Sequence, residues 1–248
     1  MTRRVWITGA SSGIGRELAL HYARQGDSVA VSARRRQELE TLAARLPGRI
    51  AAFPVDVTDA GAMAAAVAAI EAALGPLDVA ILNAGIYAEA TIDPFDLALF
   101  RRHVEINYMG VVNGIAAILP RFLARGAGQI AVISSVAGYR GLPQAAAYGP
   151  TKAALINLCE SLKPDLDRRG VRISIVNPGF VRTPMTAPNT FTMPFLMAPD
   201  VAARRIAEGL DAGKFEVTFP RRFTFMLKLA RLLPYGLYFR LVKRATGR

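Results

Sequence analysis

The chain has 248 residues, of which 52% are hydrophobic and 20% charged, and its formal net charge is +12. This composition is that of one packed globular domain and excludes collagen-like and intrinsically disordered chains. The single cysteine, Cys159, excludes an internal disulfide framework, and with only two histidines no metal site is expected. No secretory signal opens the sequence and no run of 18 apolar residues predicts a membrane-spanning helix. We therefore expect a cytoplasmic protein, at most attached to a membrane surface.

Short apolar runs rich in Val and Ile alternate with longer stretches of helical periodicity. The predicted strands cover residues 5–8, 28–32, 50–55, 79–83, 129–134, 171–176 and 215–218. The main predicted helices cover residues 14–25, 36–46, 60–74, 94–125 and 148–169, and Pro164 is expected to kink or end the last of them. Because parallel strands need long crossovers, this alternation predicts a single α/β domain, residues 1–220, with a Rossmann-like, doubly wound parallel sheet of about seven strands.

A glycine-rich turn lies between the first predicted strand and the first predicted helix. Gly9 permits a tight exit from the strand, Gly13 leaves room for a pyrophosphate, and Gly15 lets the helix pack closely on the sheet. The first amides of a helix carry a partial positive charge that favours phosphate. The turn therefore predicts a dinucleotide site, and its binding residues are Gly9, Ser11, Ser12, Gly13, Ile14 and Gly15.

A candidate catalytic set follows further along the chain. Tyr148 and Lys152 are one helical turn apart, so an ammonium next to the phenol is expected to lower the pKa of the tyrosine. Ser135 lies at the end of the strand predicted at residues 129–134, at the sheet edge where open α/β folds bind ligands. Asn107 interrupts an apolar helical pattern, which indicates either a specific role or a buried, hydrogen-bonded structural asparagine.

These motifs together resemble the short-chain dehydrogenase/reductase family. The turn opens with Thr8-Gly9 and has the spacing Gly-x-x-x-Gly-x-Gly, and a Tyr-x-x-x-Lys pair follows with Ser135 thirteen residues before the tyrosine. Asn83 stands in a segment like the family's Asn-Asn-Ala-Gly motif, although Leu82 replaces the first asparagine. The resemblance spans roughly residues 4 to 218 and implies further cofactor contacts from Asp56, Val57, Asn83, Ala84, Gly85, Tyr148, Lys152, Pro178, Gly179, Val181 and Thr183.

The resemblance also implies an activity, which is hydride transfer between a nicotinamide cofactor and a carbonyl or alcohol. In the reductive direction Tyr148 would act as the general acid, Lys152 would tune it and hold the nicotinamide ribose, and Ser135 would stabilise the developing oxyanion. Asn107 would support a water that links the lysine to solvent. The family usually forms homodimers through two long helices, so a homodimer is expected here.

The end of the second predicted strand indicates which cofactor is preferred. Folds that prefer NAD place an acidic residue there to bind the ribose hydroxyls, whereas this chain has Ala33 followed by Arg34. A guanidinium can pair with a 2′-phosphate in a bidentate manner, so Arg34 predicts NADPH rather than NADH. Arg35 and Arg36 are interpreted as a solvated, basic start of a helix.

Residues 221–248 form a basic C-terminal tail with two amphipathic segments separated by Pro234, and no acidic residue follows Glu216. Such a pattern favours contact with an anionic membrane surface, while packing on its own domain or on a partner subunit remains an equal alternative. Nucleic acid is not an expected partner, because no nucleic-acid motif is present. The apolar residues 191–199, where the family has its substrate lid, predict a long, lipophilic carbonyl substrate such as a steroid, a ketosphinganine or a long-chain acyl compound.

Three other functions remain open at this point. A 3-oxoacyl-thioester reductase of fatty-acid type would use the same catalytic set on a different substrate. A non-catalytic NADPH-sensing regulator would keep the fold, although relatives of that kind usually lose the tyrosine or the lysine. A structural protein at a membrane surface would depend on the tail alone.

Overall fold

The computed structural model describes residues 2–189 and 192–246. Within them, seven strands form one parallel sheet in the order β3-β2-β1-β4-β5-β6-β7. The strands are β1 (Arg4–Thr8), β2 (Ser28–Ser32), β3 (Ile50–Ala52), β4 (Val79–Leu82), β5 (Gly128–Ile133), β6 (Val171–Pro178) and β7 (Glu216–Phe219). This architecture confirms the predicted doubly wound, Rossmann-like sheet.

Helices cover both faces of the sheet. They are α1 (Gly13–Arg24), α2 (Arg36–Ala43), α3 (Ala60–Leu74), α4 (Leu97–His103), α5 (Gly110–Arg125), α6 (Gly149–Arg168), α7 (Pro199–Asp211), α8 (Arg221–Arg231) and α9 (Tyr235–Thr246). A π-helical segment (Val104–Met109) joins α4 to α5, and a 3₁₀ turn (Val136–Gly138) follows β5. The helix α7 has no counterpart among the main predicted elements.

The core is divided into two layers by the alternation of side chains along each strand. Val5 and Ile7 in β1 belong to the layer that packs under α1, α2 and α7, whereas Trp6 belongs to the layer under α3, α5 and α6. All three side chains are fully buried, because helices cover the sheet on both sides. Near-continuous apolar strands are therefore the sequence signature of this three-layer arrangement.

Of the two effects expected of Pro164, termination does not occur, because α6 continues through it to Arg168. A proline lacks the N–H group that would bond to the carbonyl four residues earlier, which here belongs to Glu160. Both Pro164 and Glu160 are exposed, so water can reach the freed carbonyl and the helix loses little.

The segment predicted as one helix over residues 94–125 is interrupted. Its first part, α4, begins at Leu97, and the preceding residue Asp96 caps it by accepting hydrogen bonds from the first-turn amides. The π-helical segment then separates α4 from α5. By length and composition, Leu97–Arg125 could cross a membrane, with a mean hydropathy of 1.3 over its most apolar window. However, Ile118 and Phe122 are fully buried under the sheet, so we assign this segment to the core.

The C-terminal tail folds back on the body of the protein. Lys228 in α8 forms an ion pair with Glu216 in β7, and Tyr139 and Asn177 donate hydrogen bonds to the same carboxylate. Burial alone would raise the pKa of Glu216, but these hydrogen bonds outweigh burial and hold it below its usual value. The carboxylate therefore ties α8 to the sheet as a charged group.

Candidate functional site

A cleft of about 400 Å³ lies at the carboxyl edge of the sheet, beside the turn that follows β1. Most of the cofactor-binding residues predicted from the sequence line this cleft, namely Gly9, Ser11, Ser12, Gly13, Ile14, Arg34, Asp56, Val57, Asn83, Ala84, Gly85 and Thr183. Residues from five separate segments thus meet at one place. The predicted residues outside its lining are Gly15, Tyr148, Lys152, Pro178, Gly179 and Val181.

The glycine-rich turn has a backbone that only glycine adopts easily. Gly9 has φ +67°, and a Cβ on it would lie 2.7 Å from the Cα of Ala84. Gly13 has φ +57°, and its Cβ would lie 3.1 Å from Thr183 across the cleft. Ser12, the N-cap of α1, makes no side-chain bond to the first-turn amides. Those amides therefore remain available to an anion in the cleft.

Hydrogen bonds between β1 and β4 fix the position of this turn. The Thr8 hydroxyl accepts from the backbone N–H groups of Asn83 and Ala84 at 3.0 and 3.1 Å. The Asn83 amide in turn donates to the carbonyls of Thr8 and Gly9 at 3.0 and 3.2 Å. Leu82, which replaces an asparagine of the family motif, is buried instead in the apolar core.

The candidate catalytic residues Ser135, Tyr148 and Lys152 lie together. The Ser135 hydroxyl lies near enough to the Tyr148 phenol to lower its pKa, and the Lys152 Nζ lies 5.5 Å from the centre of the Tyr148 ring. Tyr148 directly precedes α6, and its carbonyl accepts from the Lys152 N–H at 3.2 Å, so the predicted one-turn spacing is kept. The neighbouring Ser134 is occupied elsewhere, because its hydroxyl donates to the Lys152 carbonyl at 2.8 Å.

The pKa of Tyr148 is shifted in the direction opposite to the sequence-based expectation. Burial raises the pKa of its phenol to about 12, and the nearby Ser135 hydroxyl lowers it only in part. Lys152 is also buried, and burial lowers the pKa of its ammonium to about 8. The Nζ donates to the Ile133 carbonyl at 2.9 Å. Loss of solvation dominates both shifts, so the phenol keeps its proton at neutral pH.

Asn107 is fully buried in the π-helical segment and makes several hydrogen bonds. Its Oδ1 accepts from the Ile86 N–H at 2.7 Å, and its Nδ2 donates to the Ile86 carbonyl at 3.0 Å. The same Nδ2 also donates to Thr151 in α6 at 3.3 Å. Asn107 therefore joins the loop after β4 to the helix that carries Lys152. This geometry matches the structural alternative, and a role in catalysis remains a proposal.

Two arginines lie at the end of β2. Arg34 and Arg35 both line the cleft, and the Arg35 Nη2 donates to the Ser11 hydroxyl at 2.9 Å. Arg35 is exposed and directly precedes α2, as interpreted from the sequence, and the turn after β2 also brings its guanidinium back to the glycine-rich turn. Asp56 lies on the other wall, and the Thr58 backbone hydrogen bond, together with the charge of Arg34, outweighs burial and lowers its pKa.

The loop after β6 completes the wall of the cleft. Pro178 ends β6, the Gly179 N–H donates to the Phe219 carbonyl at 2.8 Å, and the buried Val181 pairs with Met197. These three residues support the loop from behind, and Thr183 reaches the cleft itself. Gly15 likewise lies behind the turn, against the side chain of Asn83.

One ring beside the candidate catalytic set was missed in the sequence. Tyr87 packs edge-on against Tyr148, with 5.2 Å between the ring centres. It follows Gly85 by two residues, so only its closeness in sequence to that motif could have indicated it. In the lid segment, Phe195 is half exposed and packs against Phe223 of α8 at 6.0 Å, while Phe191 lies outside the described residues.

We predict that Lys152→Met stabilises the protein at neutral pH by on the order of 2 kcal/mol, because it removes a buried charge. The native ammonium has a pKa of about 8, below the usual 10.5, so the wild type gains stability as pH rises from 8 towards 10.5. The variant should lack this gain. Urea unfolding at several pH values measures how the free energy of unfolding changes with pH. Lys163→Met, which removes an exposed ion pair with Asp167, serves as the control. Identical pH profiles for wild type and Lys152→Met would contradict the prediction.

Comparison with known proteins agrees with this geometry. A family model described as short chain dehydrogenase matches residues 3–193. An uncharacterized oxidoreductase of Myxococcus xanthus is 37% identical over 239 residues, which are 95% of this chain and 94% of the relative. A crystal structure of a short-chain dehydrogenase from Streptomyces avermitilis superimposes with a TM-score of 0.85 at 28% identity, covering 94% and 93% of the two chains.

A variant of actinorhodin polyketide ketoreductase, solved with NADPH, has a TM-score of 0.80 at 27% identity and covers 88% of this chain and 95% of its own. The family model alone spans more than half of the sequence, and the solved structures share the sheet architecture of this chain. The resemblance inferred from the motifs is therefore confirmed: the chain belongs to the short chain dehydrogenase family of oxidoreductases.

Proposed function

We propose that the protein uses NADPH to reduce the carbonyl group of a long, lipophilic ketone or aldehyde. The observation that carries this proposal is the grouping of the Ser135 hydroxyl, the Tyr148 phenol and the Lys152 ammonium next to a cleft with a glycine-rich turn. A regulator that only senses the cofactor would not need a phenol, a hydroxyl and a buried cation in one place. Their joint presence favours catalysis.

The cleft fits a dinucleotide phosphate. Gly9 lets the turn pack directly on the backbone of Ala84, Gly13 lets it approach Thr183 closely, and the amides at the start of α1 can bind the pyrophosphate. Arg34 and Arg35 supply two guanidinium groups at the end of β2, where an acidic residue would repel a 2′-phosphate. When bound there, NADPH would supply the hydride for the carbonyl carbon.

The side chains of the protein would handle the proton and the negative charge. The phenol of Tyr148, whose pKa is raised to about 12, is protonated at neutral pH and donates its proton to the carbonyl oxygen. The Ser135 hydroxyl donates a hydrogen bond to the same oxygen as negative charge develops on it. The Lys152 ammonium then stabilises the phenolate and binds the nicotinamide ribose. Asn107 holds the loop at Ile86 against α6 and supports a water that links Lys152 to solvent.

The lipophilic substrate class is supported by the apolar side chains around the lid. Met185 lines the cleft, and the rings of Phe180 and Phe195 lie 5.9 and 6.0 Å from that of Phe223. Phe195 remains 52% exposed, which leaves apolar surface for a ligand. A 3-oxoacyl-thioester reductase is the second candidate, favoured by the similarity to a polyketide ketoreductase.

A cytoplasmic homodimer is part of the proposal. Its support is the exposure of Leu97 and Val104 on the long segment that contains α4 and α5, because exposed large apolar side chains often mark an interface. Light scattering of the purified protein measures the oligomeric state.

Tyr148→Phe is expected to lower kcat by about a thousandfold or more, because it removes the proton donor and leaves the ring packing in place. The measurement is NADPH oxidation at saturating substrate, together with NADPH affinity, which should be nearly unchanged. Tyr87→Phe removes a hydroxyl from the neighbouring ring and serves as the control that retains turnover. Retained turnover in pure Tyr148→Phe protein would refute the assignment of the proton donor.

Arg34→Ala should raise the KM for NADPH roughly 10- to 100-fold and leave the KM for NADH nearly constant, because a charge-assisted contact to the 2′-phosphate is lost. Arg35→Ala should have a smaller effect of the same sign, since Arg35 also lines the cleft. Arg36→Ala is the matched control, because Arg36 is exposed and pairs with Glu40 on α2. Equal catalytic efficiency of the wild type with NADPH and NADH would contradict the proposed preference for NADPH.

The substrate class predicts a rise of kcat/KM with chain length in a graded series of ketones and aldehydes, by roughly threefold for each buried CH₂ group until the site is filled. The corresponding 3-oxoacyl thioesters are tested in parallel, since preference for them identifies the second candidate function. Good activity on small polar carbonyls with none on long-chain compounds would overturn the lipophilic assignment.

A further inference from the structure

The tail has an inner face that is held firmly by the body of the protein. Thr224 in α8 and Tyr238 in α9 are buried, and the Tyr238 hydroxyl donates to the Gly141 carbonyl. Arg140 is central to this attachment, because its guanidinium donates to the carbonyls at the end of α8, among them Leu233 at 2.9 Å. The same guanidinium lies 3.8 Å above the ring of Tyr238. The two helices of the tail are thus held in a defined orientation.

Because the inner face is fixed, the opposite side of the tail is presented to solvent. Among the described side chains of residues 221–244, this outer face carries large apolar groups that are 45–79% exposed. They are Phe225, Met226, Leu229, Leu232, Tyr235, Leu237, Phe239 and Leu241. Isolated exposed apolar residues are normal on a protein surface, but a continuous series on two adjoining helices marks an interaction site.

Basic side chains accompany the apolar ones. The exposed cations of the tail are Arg221, Arg222, Arg231, Arg240, Lys243 and Arg244. No acidic residue follows Glu216 in the sequence, and Glu216 itself is paired with Lys228. The outer face therefore combines apolar side chains with a net positive charge and contributes no acidic group of its own.

Three partners could cover such a face, namely a second copy of the chain, a nucleic acid or an anionic bilayer. The combination of apolar and basic side chains favours the bilayer. A second copy of the same face would bring like charges together, which opposes self-association. Nucleic acid would satisfy the cations but would leave the aliphatic side chains without an apolar environment. The headgroup region of an anionic bilayer satisfies both, because lipid phosphates attract the cations while the acyl boundary accepts the apolar side chains.

We propose that the outer face of α8 and α9 docks the protein on an anionic lipid bilayer. The helices lie flat on the surface, since α8 has 11 and α9 has 12 residues, too few to span a bilayer. Phe223 on the inner side of α8 contacts both Phe180 and Phe195, so the docked surface adjoins the apolar entrance to the cleft. Binding to lipid is independent of turnover and can be tested without any substrate.

The test is sedimentation of the full-length protein with vesicles of phosphatidylcholine alone and with vesicles that contain about one-third phosphatidylglycerol. We expect binding to the anionic vesicles that weakens as salt is raised, and little binding to the neutral ones. The double variant Arg240→Gln/Lys243→Gln should bind about tenfold more weakly. The double variant Leu232→Ser/Phe239→Ser should also lose at least tenfold, because insertion of apolar groups is removed.

Matched controls lie elsewhere on the surface. Ile92 is 93% exposed and lies outside α8 and α9, so Ile92→Ser removes an exposed apolar group and leaves every residue of the outer face in place. Arg36→Gln removes an exposed cation in the same way. Both controls should bind anionic vesicles like the wild type, and NADPH affinity reports that every variant is folded.

Three outcomes would overturn the proposal. The first is absence of binding to anionic vesicles, and the second is binding that the two tail variants do not weaken. The third is self-association or DNA binding that the tail variants abolish while lipid binding stays unchanged. Since none of these readouts depends on carbonyl reduction, failure of the proposed activity would leave the lipid test intact.

Discussion

Four hydrogen bonds between the ends of β1 and β4 form the constraint on which the site depends. The sheet order runs outward from β1 in one direction and from β4 in the other, so the chain leaves these two strands towards opposite faces. A crevice opens at such a point in any doubly wound sheet. Thr8 and Asn83 bond to each other's backbone across this point and thereby hold Gly9 against Ala84. The cleft thus has a preformed wall.

Burial of Lys152 and Tyr148 has opposite consequences for the stability of the protein and for the chemistry of the site. The Lys152 ammonium and the Tyr148 phenol both lose solvation, which lowers the pKa of the lysine and raises that of the tyrosine. A protonated phenol suits the donation of a proton, and a buried cation suits the stabilisation of the anion that remains. The free-energy cost falls on the folded protein, which holds the cation against the Ile133 carbonyl.

The tail connects this site to the protein surface. The carboxylate of Glu216 accepts hydrogen bonds from the end of β6, from the segment after β5 and from α8, so a single charged group joins three elements near the cleft. Arg140, next to Tyr139 in the chain, fixes the far end of α8 and the start of α9. The orientation of the tail is therefore set by polar contacts, which leave most of its apolar side chains free for another partner.

The sequence by itself determined the class of fold and the family, since these depend on local patterns. Apolar strands with helical crossovers specify a parallel sheet, and the glycine turn with Tyr148, Lys152 and Ser135 at their spacings identifies the relatives. Only the tertiary structure decided that Arg35 reaches the cleft, that α6 continues through Pro164 and that the pKa of the Tyr148 phenol is raised. Each of these depends on solvent access or on contacts between residues far apart in the chain, and neither can be derived from periodicity.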